Sequence, residues 1–120
     1  MEGTMMAMIE KTNSEIAEER SPAPYRIYPE IYRHVNYPND MVQIEVILLG
    51  VKKEDIVVKA LPTWLHLSAM RTSDNVEYSA NVSFGVEVIP EETTAEYKNG
   101  LLKIQAKIRD PLSYAKEVPL

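Results

Sequence analysis

A chain of 120 residues and 13.7 kDa has the size of one domain with a short arm or tail beyond it. Its apolar fraction of 45% and charged fraction of 26% fit a globular chain that holds a core without staples, and the lack of cysteine excludes disulfides and thiolate metal sites. Thirteen basic against eighteen acidic residues, a net charge of −5 with no basic block, speak against nucleic acid as a partner.

The apolar runs at residues 5–9 and 46–49 are far short of the ~20 residues that cross a bilayer, so no membrane partner is expected. The first ten residues have no basic region and meet Glu10 at once, unlike a signal peptide, so the expected location is cytoplasmic. Residues 1–24 stand apart from the rest. They hold Met1, Met5, Met6 and Met8, then a charged stretch, then Ser-Pro-Ala-Pro. Met5, Met8, Ile9, Thr12 and Ile16 recur at three- and four-residue steps, an amphipathic pattern ended by Pro22 and Pro24. A helix of about four turns is marginal without a partner, which predicts a flexible or marginally helical arm.

Tyr25, Tyr28, Tyr32 and Tyr37 follow in a proline-rich approach. The spacing predicts an extended segment whose rings pack along a sheet edge, with an aromatic partner surface as the alternative. From Ile31 the period becomes two. Val42, Ile44, Val46 and Leu48 alternate with Gln43, Glu45 and Ile47, the mark of a strand with one buried face. Residues 56–60 form a second strand, residues 64–70 a third with Leu65 and Leu67 on one face, and residues 76–84 a fourth. Residues 93–97 read as a short strand. Asn99-Gly100 supplies the positive φ angles of a two-residue hairpin, and residues 101–108 are the last strand, with Leu102 and Ile104 inward. The expected core is Val42, Ile44, Val46, Ile56, Val58, Leu65, Leu67, Val82, Phe84, Leu102 and Ile104. Short strands with turn signals between them predict an all-β, immunoglobulin-like sandwich over residues 25–108, with a tail over residues 109–120.

Catalytic chemistry is hard to find. The glycines at 3, 50, 85 and 100 form no phosphate-cradling loop, so no cofactor is expected. His34 and His66 lie in different strands with no acidic partner at ligand spacing, and no metal site is expected. Ser68, Ser79 and Ser83 lack a nucleophile-elbow pattern, and Glu54-Asp55 sits in a Lys-Lys-Glu-Asp turn that suits solvent. Nothing here argues for an enzyme.

Two segments carry a resemblance. Leu48-Leu49-Gly50-Val51-Lys52-Lys53-Glu54-Asp55-Ile56 resembles the Leu-Pro-Gly-Val-x-x-Glu-Asp-Ile connection of the α-crystallin domain in small heat-shock proteins. Ala95-Glu96-Tyr97-Lys98-Asn99-Gly100-Leu101-Leu102 is similar to that family's Ala-x-x-x-Asn-Gly-x-Leu signature, and Val88-Ile89-Pro90-Glu91 to its Val-Asp-Pro-Glu approach. The match covers about residues 30–108. Ala95 is read as small because two sheets or a loop approach there. Val118-Pro119-Leu120 resembles the family's Ile-x-Ile tail motif, which implies that Val118 and Leu120 anchor in a groove between edge strands of a neighbouring subunit.

The departures matter as well. Leu49 replaces the usual proline, and Ala80 falls where many members carry an interface arginine. Only residues 71–75 separate two strands where many members place a long loop with a strand swapped between subunits. Too short to reach a neighbour and return, they put the swapped dimer in doubt. The resemblance implies an ATP-independent holdase that binds partly unfolded client proteins and self-associates into dimers or small oligomers. Met5, Met6, Met8, Ile9 and Ile16 are its client-binding candidates, since methionine adapts to varied partners. The alternative is a co-chaperone adaptor of the related CS type, which also lacks the swapped strand.

Overall fold

The structure, a computed structural model, describes residues 24–120. The client-binding candidates Met5, Met6, Met8, Ile9 and Ile16 lie outside the described residues. The strands are β1 (Tyr25–Ile27), β2 (Glu30–Asn36), β3 (Met41–Ile47), β4 (Ile56–Ala60), β5 (Trp64–Arg71), β6 (Val76–Ser83), β7 (Val88–Lys98) and β8 (Leu101–Ile108). They form two four-stranded sheets, ordered β1-β6-β5-β4 and β2-β3-β8-β7. The fold is the all-β sandwich that the alternation predicts.

Residues opposite one another on neighbouring strands share a face, so the pairing shows how the core is assembled. Val42, Ile44 and Val46 of β3 oppose Ala106, Ile104 and Leu102 of β8, and all six are buried. In the other sheet Leu65, Leu67 and Ala69 of β5 oppose Val82, Ala80 and Tyr78 of β6, again all buried. Phe84, Leu48, Val51 and Val88 close the ends of this layer. The intervening Gln43, Glu45, Lys103 and Gln105 take the outer face.

Two turns set the register. Asn99 and Gly100, at φ 52° and 79°, join β7 to β8 in the two-residue hairpin that the Asn-Gly pair favours. A Cβ on Gly100 would sit 2.5 Å from Leu49 Cδ2, so this position needs glycine for space as well as for conformation. The β5–β6 turn is closed by Arg71, which pairs across the ladder with Val76. Its Nε and Nη2 donate to Asp74 at 2.8 and 2.9 Å, and its Nη1 donates to the Tyr78 hydroxyl at 2.7 Å and to Leu49 O at 3.3 Å. This connection holds no strand that a neighbour could receive.

Several expectations need correction. The tyrosine-rich approach forms two strands, β1 parallel to β6 and β2 antiparallel to β3. The rings of Tyr25, Tyr28, Tyr32 and Tyr37 are exposed instead of packed, because β1 and β2 are edge strands and Tyr32 lies on an outer face. Residues 93–97 are not a separate strand but part of β7, whose register breaks between Ile89 and Thr93, where Pro90 has no N–H to donate. Ile56 and Val58 are half-buried because β4 is an edge strand. Ala80 points into the core opposite Leu67, so its side chain is not at an interface.

Candidate docking groove

A sandwich has two seams where the edges of its sheets meet, and here they differ. Along one seam Arg33 of β2 faces inward opposite Ile44 and donates from Nη1 to Ser83 O at 3.2 Å. Its guanidinium also covers Gly85, where an added Cβ would lie 3.2 Å from Arg33 Cζ. That seam is bridged. Along the other seam β4 and β7 run side by side, tied at both ends. Phe84 N donates to Thr63 O at 2.9 Å and Val88 N to Pro62 O at 2.7 Å, which holds the β4–β5 connection against the start of β7. At the far end the Tyr97 hydroxyl lies 2.7 Å from the carbonyls of both Leu48 and Val51, with one hydrogen to donate between them.

Between these ties the inner face is open. Ile56, Val58 and Ala60 of β4 share a face with the buried Ala69, Leu67 and Leu65. Thr93, Ala95 and Tyr97 of β7 share a face with the buried Ala106, Ile104 and Leu102. None of these six is itself buried: Ala95 is exposed and the others are half-buried. No third strand covers them, because β4 and β7 are the outermost strands of their sheets. The result is an apolar strip about five residues, roughly 17 Å, long. Leu61 extends the apolar surface at the end of β4, while Val57, 46% exposed, lies on the strand's opposite face.

The walls are fixed. Tyr97 is held by its carbonyl contacts, and burial raises its phenol pKa above the ordinary value. Thr93 Oγ1 donates to Ile89 O at 3.2 Å. Pro90, Glu91 and Glu92 interrupt the regular ladder of β7 and put proline and charge on that edge, which blocks pairing there and leaves residues 93–97 as the open stretch.

The family-signature positions are brought together in part. Gly50, at φ 80°, lies under Arg71, whose Cδ would be 2.9 Å from a Cβ there. Asn99 and Gly100 form the turn, and Leu102 points into the core behind the groove. Ala95 is not at a close approach of two sheets, since it is exposed on the groove floor. Val118, 77% exposed, and Leu120 lie beyond a 3-10 turn at Pro111–Tyr114, outside the chain's own groove. The resemblance implies a groove between edge strands, but the sequence does not show which residues line it, because its walls come from edge strands of different sheets. The small Ala95 between Thr93 and Tyr97 was its one local sign. Among the described residues, no three His, Asp or Glu side chains gather as a metal site, and no helix is long and apolar enough to cross a membrane.

No family model and no curated protein matches the sequence. Solved structures do match the fold. Heat shock protein 16.0 from Schizosaccharomyces pombe superposes with a TM-score of 0.61 at 22% identity, over 78% of this chain and 98% of that one. A variant of hsp14.1 from Sulfolobus solfataricus gives 0.60 at 20% identity over 93% and 97% of the two chains. A small heat-shock protein from Xylella fastidiosa, described as having a distinct high order structure, gives 0.60 at 15% identity over 78% and 96%. The sandwich thus has the α-crystallin fold of small heat-shock proteins.

Proposed function

From this small heat-shock protein fold, we propose that the chain is an ATP-independent holdase, which binds partly unfolded proteins and keeps them from aggregating. The observation that carries the reading is the open β4–β7 groove. Its floor is made of inward-facing positions that the chain leaves uncovered, so an extended apolar segment gains area by entering. The tail offers such a segment. Pro119 favours an extended backbone, which puts Val118 and Leu120 two residues apart on one side, the spacing at which strand side chains recur on a face.

Each fully buried Val or Leu contributes about 1.5–3 kcal/mol before the entropy of association is charged against it. One tail therefore holds weakly, and several acting together hold firmly. The expected assemblies are dimers or small oligomers, linked by edge pairing and by tails docked on neighbouring copies. Clients are assigned to Met5, Met6, Met8, Ile9 and Ile16, whose flexible or apolar side chains suit varied partners. A cysteine-free chain suits work in a reducing cytoplasm.

One observation favours the adaptor reading instead: the short β5–β6 turn leaves no strand for a neighbour to receive. Heat aggregation of a labile client separates the two, because an adaptor leaves it unprotected. On the holdase reading, deleting residues 1–20 weakens protection, and Val118→Ala with Leu120→Ala shifts native mass spectra toward smaller species while the sandwich stays folded. A single large assembly unmoved by the double substitution would overturn the docking role of the tail.

A further inference from the structure

The tail leaves the sheet through a tightly bonded turn. Ile108 ends β8 facing inward opposite Val88, so Arg109 turns toward the other side of that sheet. There its backbone N–H donates to Glu87 O at 2.9 Å, and its Nε makes an ion pair with Glu87 Oε2 at 2.8 Å. Its guanidinium lies over the Tyr114 ring, 5.6 Å from the centroid. Asp110 Oδ1 accepts from Leu112 N at 2.9 Å, while Ser113 N and Ala115 N donate back to Asp110 O and Leu112 O, both at 3.0 Å. The cleft around this clamp includes Tyr37, Ile89 and Lys107, and Lys107 is an outer-face residue of β8.

Length alone would let the tail reach its own groove. Ala95 pairs with Ile104, four residues before Ile108. That is about 13 Å along the strand, with about 5 Å more to cross one strand spacing. Residues 115–120 span up to about 20 Å when extended. Direction opposes it. Glu87 and Arg109 adjoin the inward pair Val88 and Ile108 and so lie on the outer side of that sheet, whereas the groove opens on the inner side of β7, and the edge between them carries the break at Pro90, Glu91 and Glu92. Val118 and Leu120 accordingly stay exposed.

We propose that the Arg109 clamp, closed by Glu87 and Tyr114, commits the tail to the groove of a second copy by keeping it off its own. The inference rests on the tail-docking reading above. Arg109 is a positioning residue, and its loss redirects docking without removing it.

The test uses the full chain. Equal amounts of unlabelled and nitrogen-15-labelled protein are unfolded and refolded together, then treated with an amine-reactive cross-linker. Lys116 in the tail is near enough to Val118 to report docking, and Lys59 and Lys98 flank the groove. For the wild type, about half of the links from Lys116 to Lys59 or Lys98 join one light and one heavy peptide, the share expected for contact between copies. In Arg109→Ala that share falls at least about threefold as docking becomes intramolecular and monomer accumulates. Tyr114→Ala, at an exposed ring, gives the same direction without touching the core and decides the matter if Arg109→Ala misfolds. A wild-type mixed share in the folded variants, or same-copy links already dominant in the wild type, overturns the clamp and leaves docking standing. No link from Lys116 to either groove lysine in the wild type overturns the docking reading, and the clamp with it.

Discussion

Leu102→Ala tests both the register and the floor of the sandwich. Leu102 is 2% exposed, faces Val46 across the β3–β8 ladder and Tyr97 across β7–β8, and so sits between the core and the groove. The substitution removes three carbons, worth about 2.4 kcal/mol in transfer at roughly 0.8 kcal/mol each. The neighbours Val46 and Ile44 belong to a regular seven-residue strand paired on both sides, so they cannot collapse fully into the space. A residual cavity brings the expected loss to about 3–4 kcal/mol, within the usual range for a buried leucine. For a domain of this size the total is about 5–15 kcal/mol, so the variant stays folded but melts well below the parent. Urea unfolding followed by tryptophan fluorescence of Trp64 measures it: the midpoint falls while the slope holds. A loss under about 0.5 kcal/mol would show that Leu102 is not an inward residue and would undo the register on which the groove is built.

Three further outcomes follow from the same geometry. Gly100→Ala forces a side chain into the left-handed region and against Leu49, and should cost about 1–3 kcal/mol by the same urea assay. Ala95→Leu should fill the groove floor with the chain's own side chain, shifting native mass spectra toward smaller species without lowering the melting temperature. Asp74 is held below the ordinary carboxylate range by its hydrogen bonds from Arg71. A depressed carboxylate contributes stability above its unfolded pKa and loses it as pH falls through the folded value, so Asp74→Asn should flatten the stability curve from about pH 4 downward.

What the sequence discloses and what it hides divide on physical lines. Val42, Ile44 and Val46, and their partners Leu102 and Ile104, are legible because each strand keeps one face in the core, which writes a period of two into the chain. Asn99-Gly100 is legible because few residues accept its conformation. β2 is obscured by Arg33, an inward charge whose partner, the Ser83 carbonyl, belongs to the other sheet. β7 is obscured by Pro90, which interrupts the ladder without ending the strand. The lining of the groove is hidden for a deeper reason. Ile56 and Val58 look like core residues by period, and only the sheet order shows that nothing lies beyond them. The Arg109 clamp is likewise unreadable in advance, since Glu87 reaches it from the connection between β6 and β7.

The central proposal is that this chain holds unfolding clients without nucleotide. Light scattering from a heat-labile client at its aggregation temperature, with the purified chain at equal or twofold subunit ratio and no ATP, tests it most directly. Scattering should be suppressed in proportion to the chain added, and ATP should change nothing. Scattering as high as that of the client alone, from a chain shown to be folded at that temperature, would contradict it.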